Sequence, residues 1–66
     1  MWHVYFEEKE DGAGEIFLRS ETQVPYRIRH VSLTRDEVNN QRWLVDALFI
    51  EAMEVVEKMN ESSRKF

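Results

Sequence analysis

The chain has 66 residues, no cysteine, and 13 acidic against 9 basic side chains, for a formal net charge of −4. Disulfides and cysteine-built zinc sites are excluded, and the length allows one domain at most. At 42% hydrophobic and 33% charged residues, the composition is that of a folded domain. Such a short chain buries only about 60% of its unfolded surface, so it gains from a partner chain.

The first run, Trp2 to Glu8, alternates at a period of two. Trp2, Val4 and Phe6 share one face; His3, Tyr5 and Glu7 share the other. It has neither the basic nor the apolar region of a signal peptide. Asp11-Gly12 and Gly14 then supply the positive-φ positions of a hairpin turn. Residues 15–21 alternate again, with Ile16, Leu18 and Ser20 against Glu15, Phe17, Arg19 and Glu21. Thr22-Gln23 makes the next turn. A third run spans 24–32, with Val24, Tyr26, Ile28 and His30 on one side and Pro25, Arg27, Arg29 and Val31 on the other. Pro25 belongs at a strand start or edge, since it cannot donate to a ladder.

Thr34-Arg35-Asp36-Glu37 has the form of a capping box, and Leu33 and Val38 occupy the two positions of a hydrophobic staple around it. No proline or glycine follows Pro25, so one helix is predicted from about Arg35 to about Asn60. The expected fold is α+β: a three-stranded antiparallel meander, β1-β2-β3, packed on one long C-terminal helix. Residues 1–60 form the predicted domain and 61–66 a polar, frayed tail.

A broad apolar stripe on the helix is assigned to the core: Val38, Leu44, Val45, Leu48, Phe49, Ala52, Met53, Val55, Val56 and Met59. It faces Trp2, Val4, Phe6, Ile16, Leu18, Tyr26 and Ile28. It is wider than three strands need, which points to a homodimer. A second stripe, Trp43, Ala47 and Ile50, recurs at i, i+4 and i+7 on the side that should be polar. Asp46, Glu51, Glu54 and Glu57 surround it, and an aromatic anchor ringed by charge is a layout used at protein-binding hot spots. From Asp46 to Glu61 five carboxylates face only Lys58 as counter-charge. Over roughly 22 Å of helix, that spacing is sparser than phosphates on B-DNA.

The solvent face of the sheet should carry Tyr5, Phe17, Arg19, Arg27 and Arg29. These could stack bases and pair phosphates, although cross-strand pairing with Glu7, Glu15 and Glu21 explains them as well. For catalysis the residues offer little. His3 and His30 fall on opposite parities, no serine sits in a nucleophile elbow, and no glycine-rich phosphate loop is present. No enzymatic activity, cofactor or metal site is expected.

In size, acidity and meander-plus-helix plan, the whole chain resembles the class of small phage-encoded inhibitors, which includes anti-CRISPR proteins and inhibitors of host polymerase or repair enzymes. The resemblance is one of architecture and charge, with no shared motif. It implies a stoichiometric inhibitor that covers a functional surface of a larger nucleic-acid-handling protein. The expected function is thus a protein-binding module using Trp43, Asp46, Ala47, Ile50, Glu51, Glu54 and Glu57. The alternatives are a nucleic-acid-binding module using the sheet face, and a subunit or antitoxin-like partner in a cellular complex. No run approaches the roughly 18 apolar residues of a membrane span, so the cytoplasm is the expected compartment, the host's if the chain is phage-encoded.

Overall fold

A computed structural model describes residues 1–22 and 26–64, the last two of these by their backbone only. Three strands, β1 (Trp2–Glu8), β2 (Gly14–Ser20) and β3 (Arg27–Leu33), form one antiparallel sheet in the order β1-β2-β3. Two helices follow, α1 (Arg35–Asn40) and α2 (Arg42–Arg64). The α+β plan read from the sequence is the one observed: a meander with a long C-terminal helix across one face.

The first hairpin turns at residues 9–13. Lys9 donates to the Ala13 carbonyl (2.7 Å), Gly12 donates to the Lys9 carbonyl (3.0 Å), and Ala13 donates to Asp11 Oδ1 (3.0 Å). Gly12 takes φ +90°, which is strained for any residue with a Cβ. Gly14 is required for a different reason: a Cβ there would sit 2.7 Å from the Phe6 ring. Register then runs without interruption from Trp2↔Ser20 to Glu8↔Gly14. Of the second turn, Thr22 donates to Ser20 Oγ and Ser20 donates to the Tyr26 carbonyl. Gln23, Val24 and Pro25 lie outside the described residues.

Between β2 and β3 the register slips, from Ile16↔Val31 to Phe17↔Arg29. His30 is the extra residue of a β-bulge. The bulge overturns the strict alternation expected for 24–32. Val31 comes to the helix-facing side and packs on the core, while Arg29 stays outside. Tyr26, expected in the core, is 62% exposed and lies outside the strand.

The capping box forms as expected: Thr34 Oγ1 accepts from the Glu37 N–H (3.2 Å), and Glu37 Oε1 accepts from the Thr34 N–H (2.8 Å). The single helix predicted from Arg35 to about Asn60 is, however, broken at Gln41, whose φ −126° and ψ 57° are not helical. The break ends the run Asn39-Asn40-Gln41. There, the two asparagines have low helix propensity and favour a helix end; the bond from Asn40 to Asp36 Oδ1 (2.8 Å) spans the last turn before the break. The Gln41 carbonyl restarts the chain by accepting from Leu44 (2.9 Å) and Val45 (3.3 Å). α2 continues to Arg64, four residues past its expected end.

The core consists of Trp2, Ile16, Leu18, Leu33, Val45, Ala52 and Val56, with Val4, Val31, Val38, Leu48, Phe49 and Met59 packed on it. Ala52 is fully buried on the core side of α2, between Val45 and Val56. The expected core stripe was too wide. Met53 and Val55 are exposed: Met53 on the flank of α2 that opens into a hollow beside β1, and Val55 on the other flank, where α2 covers little of β3. Phe6 and Ile28 are likewise more than one-third exposed.

At its C-terminal half α2 is tied to the sheet by Asn60. Its Oδ1 accepts from the Trp2 N–H (2.8 Å) and its Nδ2 donates to the Trp2 carbonyl (3.1 Å). The amide side chain thus acts as one residue of a missing neighbouring strand. On the other flank, His30 Nε2 lies 3.0 Å from Glu51 Oε1, so the bulge positions a second tie between sheet and helix.

Candidate functional site

Trp43, Ala47 and Ile50 lie on the outer side of α2, away from the sheet, and all are exposed; Trp43 retains 69% of its surface. The helical period that buries Val45, Ala52 and Val56 necessarily turns these residues outward. The four carboxylates expected around them divide into two kinds. Asp46 is held by Arg42 one turn earlier (3.5 Å), and Glu51 turns toward β3 to meet His30. Glu54 and Glu57 have no ion pair among the described residues and stay exposed. The sequence-derived site therefore comes together as an apolar stripe with two unneutralised carboxylates on its C-terminal side. Glu51 stands apart from it as part of the helix–sheet tie.

The outer face of the sheet is built differently. Phe17, expected to be solvent-facing, is only 7% exposed although no helix covers it. Tyr5 stacks beside it with ring centroids 5.6 Å apart, and the Arg27 guanidinium lies 3.7 Å above its centroid. Arg27 is paired across the ladder with Arg19, a residue of like charge. It leans away along the strand, crosses the Phe17 ring and donates to Glu15 Oε1 (2.7 Å). Lys9 (3.8 Å) and Arg29 (3.4 Å) approach the other Glu15 oxygen, and Glu7 lies 3.8 Å from Arg27.

Glu15 is thus a buried carboxylate ringed by three cations. The hydrogen bond from Arg27 holds its pKa below the ordinary 4.5. Burial opposes that shift, and the charges of Lys9, Arg27 and Arg29 reinforce it. Sequence reasoning missed this cluster. The signal available was one acid on the outer parity of β2 facing a strand with two arginines. Arg27 and Arg29, proposed nucleic-acid contacts, are engaged within the sheet. Arg19 is exposed and has no ion pair among the described residues.

Along the β1 side, two hollows run between that strand and α2. One of 960 Å³ is floored by Met1, Val4, Phe49, Ile50 and Met53 and rimmed by Glu54, Glu57 and Glu61. The other, of 430 Å³, lies between Phe6 and Glu8 on the strand and Val38, Arg42 and Phe49 on the helices. They share Phe49, so together they follow the whole strand. Neither contains a nucleophile paired with a base. Among the described residues no three His, Asp or Glu side chains are grouped so as to hold a metal ion. No helix of the described residues is long and apolar enough to cross a membrane.

The chain matches no protein-family model, no curated protein and no solved structure.

Proposed function

We propose that this chain is a small, non-enzymatic protein-binding module whose target docks on the outer face of α2, with Trp43 as anchor. The observation that carries this reading is the 69% exposure of Trp43, aligned with exposed Ala47 and Ile50 beside Glu54 and Glu57. A tryptophan left in water on an element whose core face is already satisfied favours association, because its burial by a partner is strongly stabilising. The carboxylates select a basic target surface. The groove of a nucleic-acid-handling protein has that character, in keeping with a stoichiometric inhibitor of the phage anti-defence or host-takeover type acting in the host cytoplasm. The sheet face serves this role less well: two of its three arginines, Arg27 and Arg29, are spent on Glu15 and Phe17.

The test is a binding measurement against partners recovered from the source cell or its host. Trp43→Ala is expected to cost 2 kcal/mol or more of affinity, about thirtyfold, mainly as faster dissociation and at any ionic strength. Charge reversal at Glu54 and Glu57 should slow association at low salt and matter little at high salt. Binding that survives Trp43→Ala but is abolished by Arg27→Ala and Arg29→Ala would transfer the function to the sheet. A salt-sensitive shift of DNA or RNA by the isolated chain would do the same.

A further inference from the structure

We infer that β1 is the pairing edge of a two-fold homodimer, in which β1 of each protomer lies antiparallel to its copy and the two sheets join into one of six strands. The inference begins with Asn60. Because Asn60 binds both the N–H and the C=O of Trp2, those groups point away from β2. By the period of a strand, the N–H and C=O of Val4 and Phe6 point the same way. Nothing among the described residues occupies them, and an uncovered row of this kind is a template for another strand.

The two edges of the sheet are treated differently. β3 carries a bulge at His30 and the charges of Arg27 and Arg29, devices that discourage edge pairing. β1 has a regular register from Trp2 to Glu8, no proline or lysine, and a cap only at Trp2. Its side also collects exposed apolar surface: Met1 just before the strand, Tyr5 and Phe6 on it, and Ile50 and Met53 on the adjoining flank of α2.

The occupant that fits is a second copy, because β1 is complementary to itself in one register. Placing Tyr5 opposite its own copy sets Val4 against Phe6 of the other protomer, so that these two residues exchange both backbone hydrogen bonds on each side of the axis. Trp2 keeps its Asn60 clamp. On the outer face His3 then stands opposite Glu7, a charge-compatible pair, and the Tyr5–Phe17 stack continues across the axis as a row of four rings. On the inner face Val4 and Phe6 meet along the floor of the hollows, and the Ile50 and Met53 flank of each α2, which lies beside Met1–Val4, faces the Phe6–Glu8 end of the other protomer's β1. Shifting the pairing two residues in one direction requires the backbone of Trp2, which Asn60 holds. Shifting it two in the other brings Glu8 inside the ladder against Val4, whereas the chosen register leaves Glu8 beyond the last bonded pair, at the end where Asn60 caps Trp2. The joined sheet leaves Trp43 and Ala47 exposed, while Ile50, which also lines the hollow beside β1, is shared with the surface assigned to α2.

The absence of cysteine makes a register-specific test direct. At the axis the two Tyr5 residues form a non-hydrogen-bonded pair with Cα atoms about 4.5 Å apart, within disulfide range. Residues 3 and 7 lie roughly 13 Å from their own copies at 3.3 Å per residue. Under mild oxidation Tyr5→Cys should cross-link nearly completely and His3→Cys or Glu7→Cys singly should not, whereas the double variant His3→Cys/Glu7→Cys should. Sedimentation equilibrium at about 100 µM should give twice the 8.0 kDa chain mass. Val4→Pro, which removes an outward N–H and no β1–β2 ladder bond, should return the mass to one chain with the circular dichroism retained. A wild-type monomer at that concentration, with β1 becoming protected only when another protein is added, overturns the proposal. So does cross-linking at position 3 or 7 that equals the yield at position 5.

Discussion

Substituting Glu15 tests whether the outer face of the sheet is a second, smaller core. In the native fold Glu15 is buried and receives a 2.7 Å hydrogen bond from Arg27, with Lys9 and Arg29 nearby. A hydrogen bond between charged groups contributes about 1.5–3 kcal/mol. The Lys9 and Arg29 side chains are 46% and 69% exposed, so solvent screening reduces each of those pairs to a few tenths of a kcal/mol. The Arg27 side chain is itself 45% exposed, which holds its bond at the lower end of that range, so Glu15→Ala should cost about 1.5–2 kcal/mol at neutral pH. At about 4–8 °C per kcal/mol for a domain of this size, Tm should fall by about 6–16 °C. Glu15→Gln keeps the shape and one acceptor oxygen and should lose about half as much.

The pH dependence of Glu15 has a definite sign. Its folded pKa lies below the ordinary 4.5, so near that pH the unfolded chain binds the proton more readily than the native one. The contribution is fully present above about pH 5 and is lost as pH falls through the folded value. Thermal melts between pH 7 and pH 3 should show a steeper acid-side decline for the native chain than for Glu15→Gln. A double-mutant cycle with Arg27→Ala should give a coupling of about 1 kcal/mol or more. Equal melting temperatures for the native chain and Glu15→Ala, or superimposable acid slopes for the native chain and Glu15→Gln, would refute the reasoning.

Three further outcomes are expected. Thr34→Ala removes the acceptor of the Glu37 N–H and should cost about 1 kcal/mol, read as a Tm loss of several degrees; an unchanged Tm would deny the cap any energetic role. Asn60→Ala releases both Trp2 backbone groups and should cost about 1–2 kcal/mol, with the Trp2 amide exchanging hydrogen markedly faster in NMR while central β2 amides change only with global stability. Trp43→Ala, in contrast, should leave the folding stability within about 0.5 kcal/mol of the native value by thermal melt, since the indole is 69% exposed; a larger loss would place Trp43 in the fold and not at an interface.

Much of this protein is written locally. The two-residue alternation of Trp2–Glu8, the Asp11-Gly12 turn and the Thr34/Glu37 box each depend on neighbours in sequence, and each appears where local chemistry puts it. The outward position of Trp43, Ala47 and Ile50 follows from the same periodicity that buries Val45, Ala52 and Val56. Non-local competition decided the rest. The bulge at His30 moved Val31 into the core and aimed His30 at Glu51, because the sheet could satisfy helix and ladder together only by spending one extra residue. Arg27 crossed Phe17 to reach Glu15 because its ladder partner is Arg19, a contact that no reading of one strand at a time contains. The seat of α2 on the sheet left Met53 and Val55 in water, and Asn60, an ordinary polar residue in the sequence, became the cap of an edge strand 58 positions away. Periodicity sets which side of an element is apolar; only the packing of several elements sets how much of that side is covered.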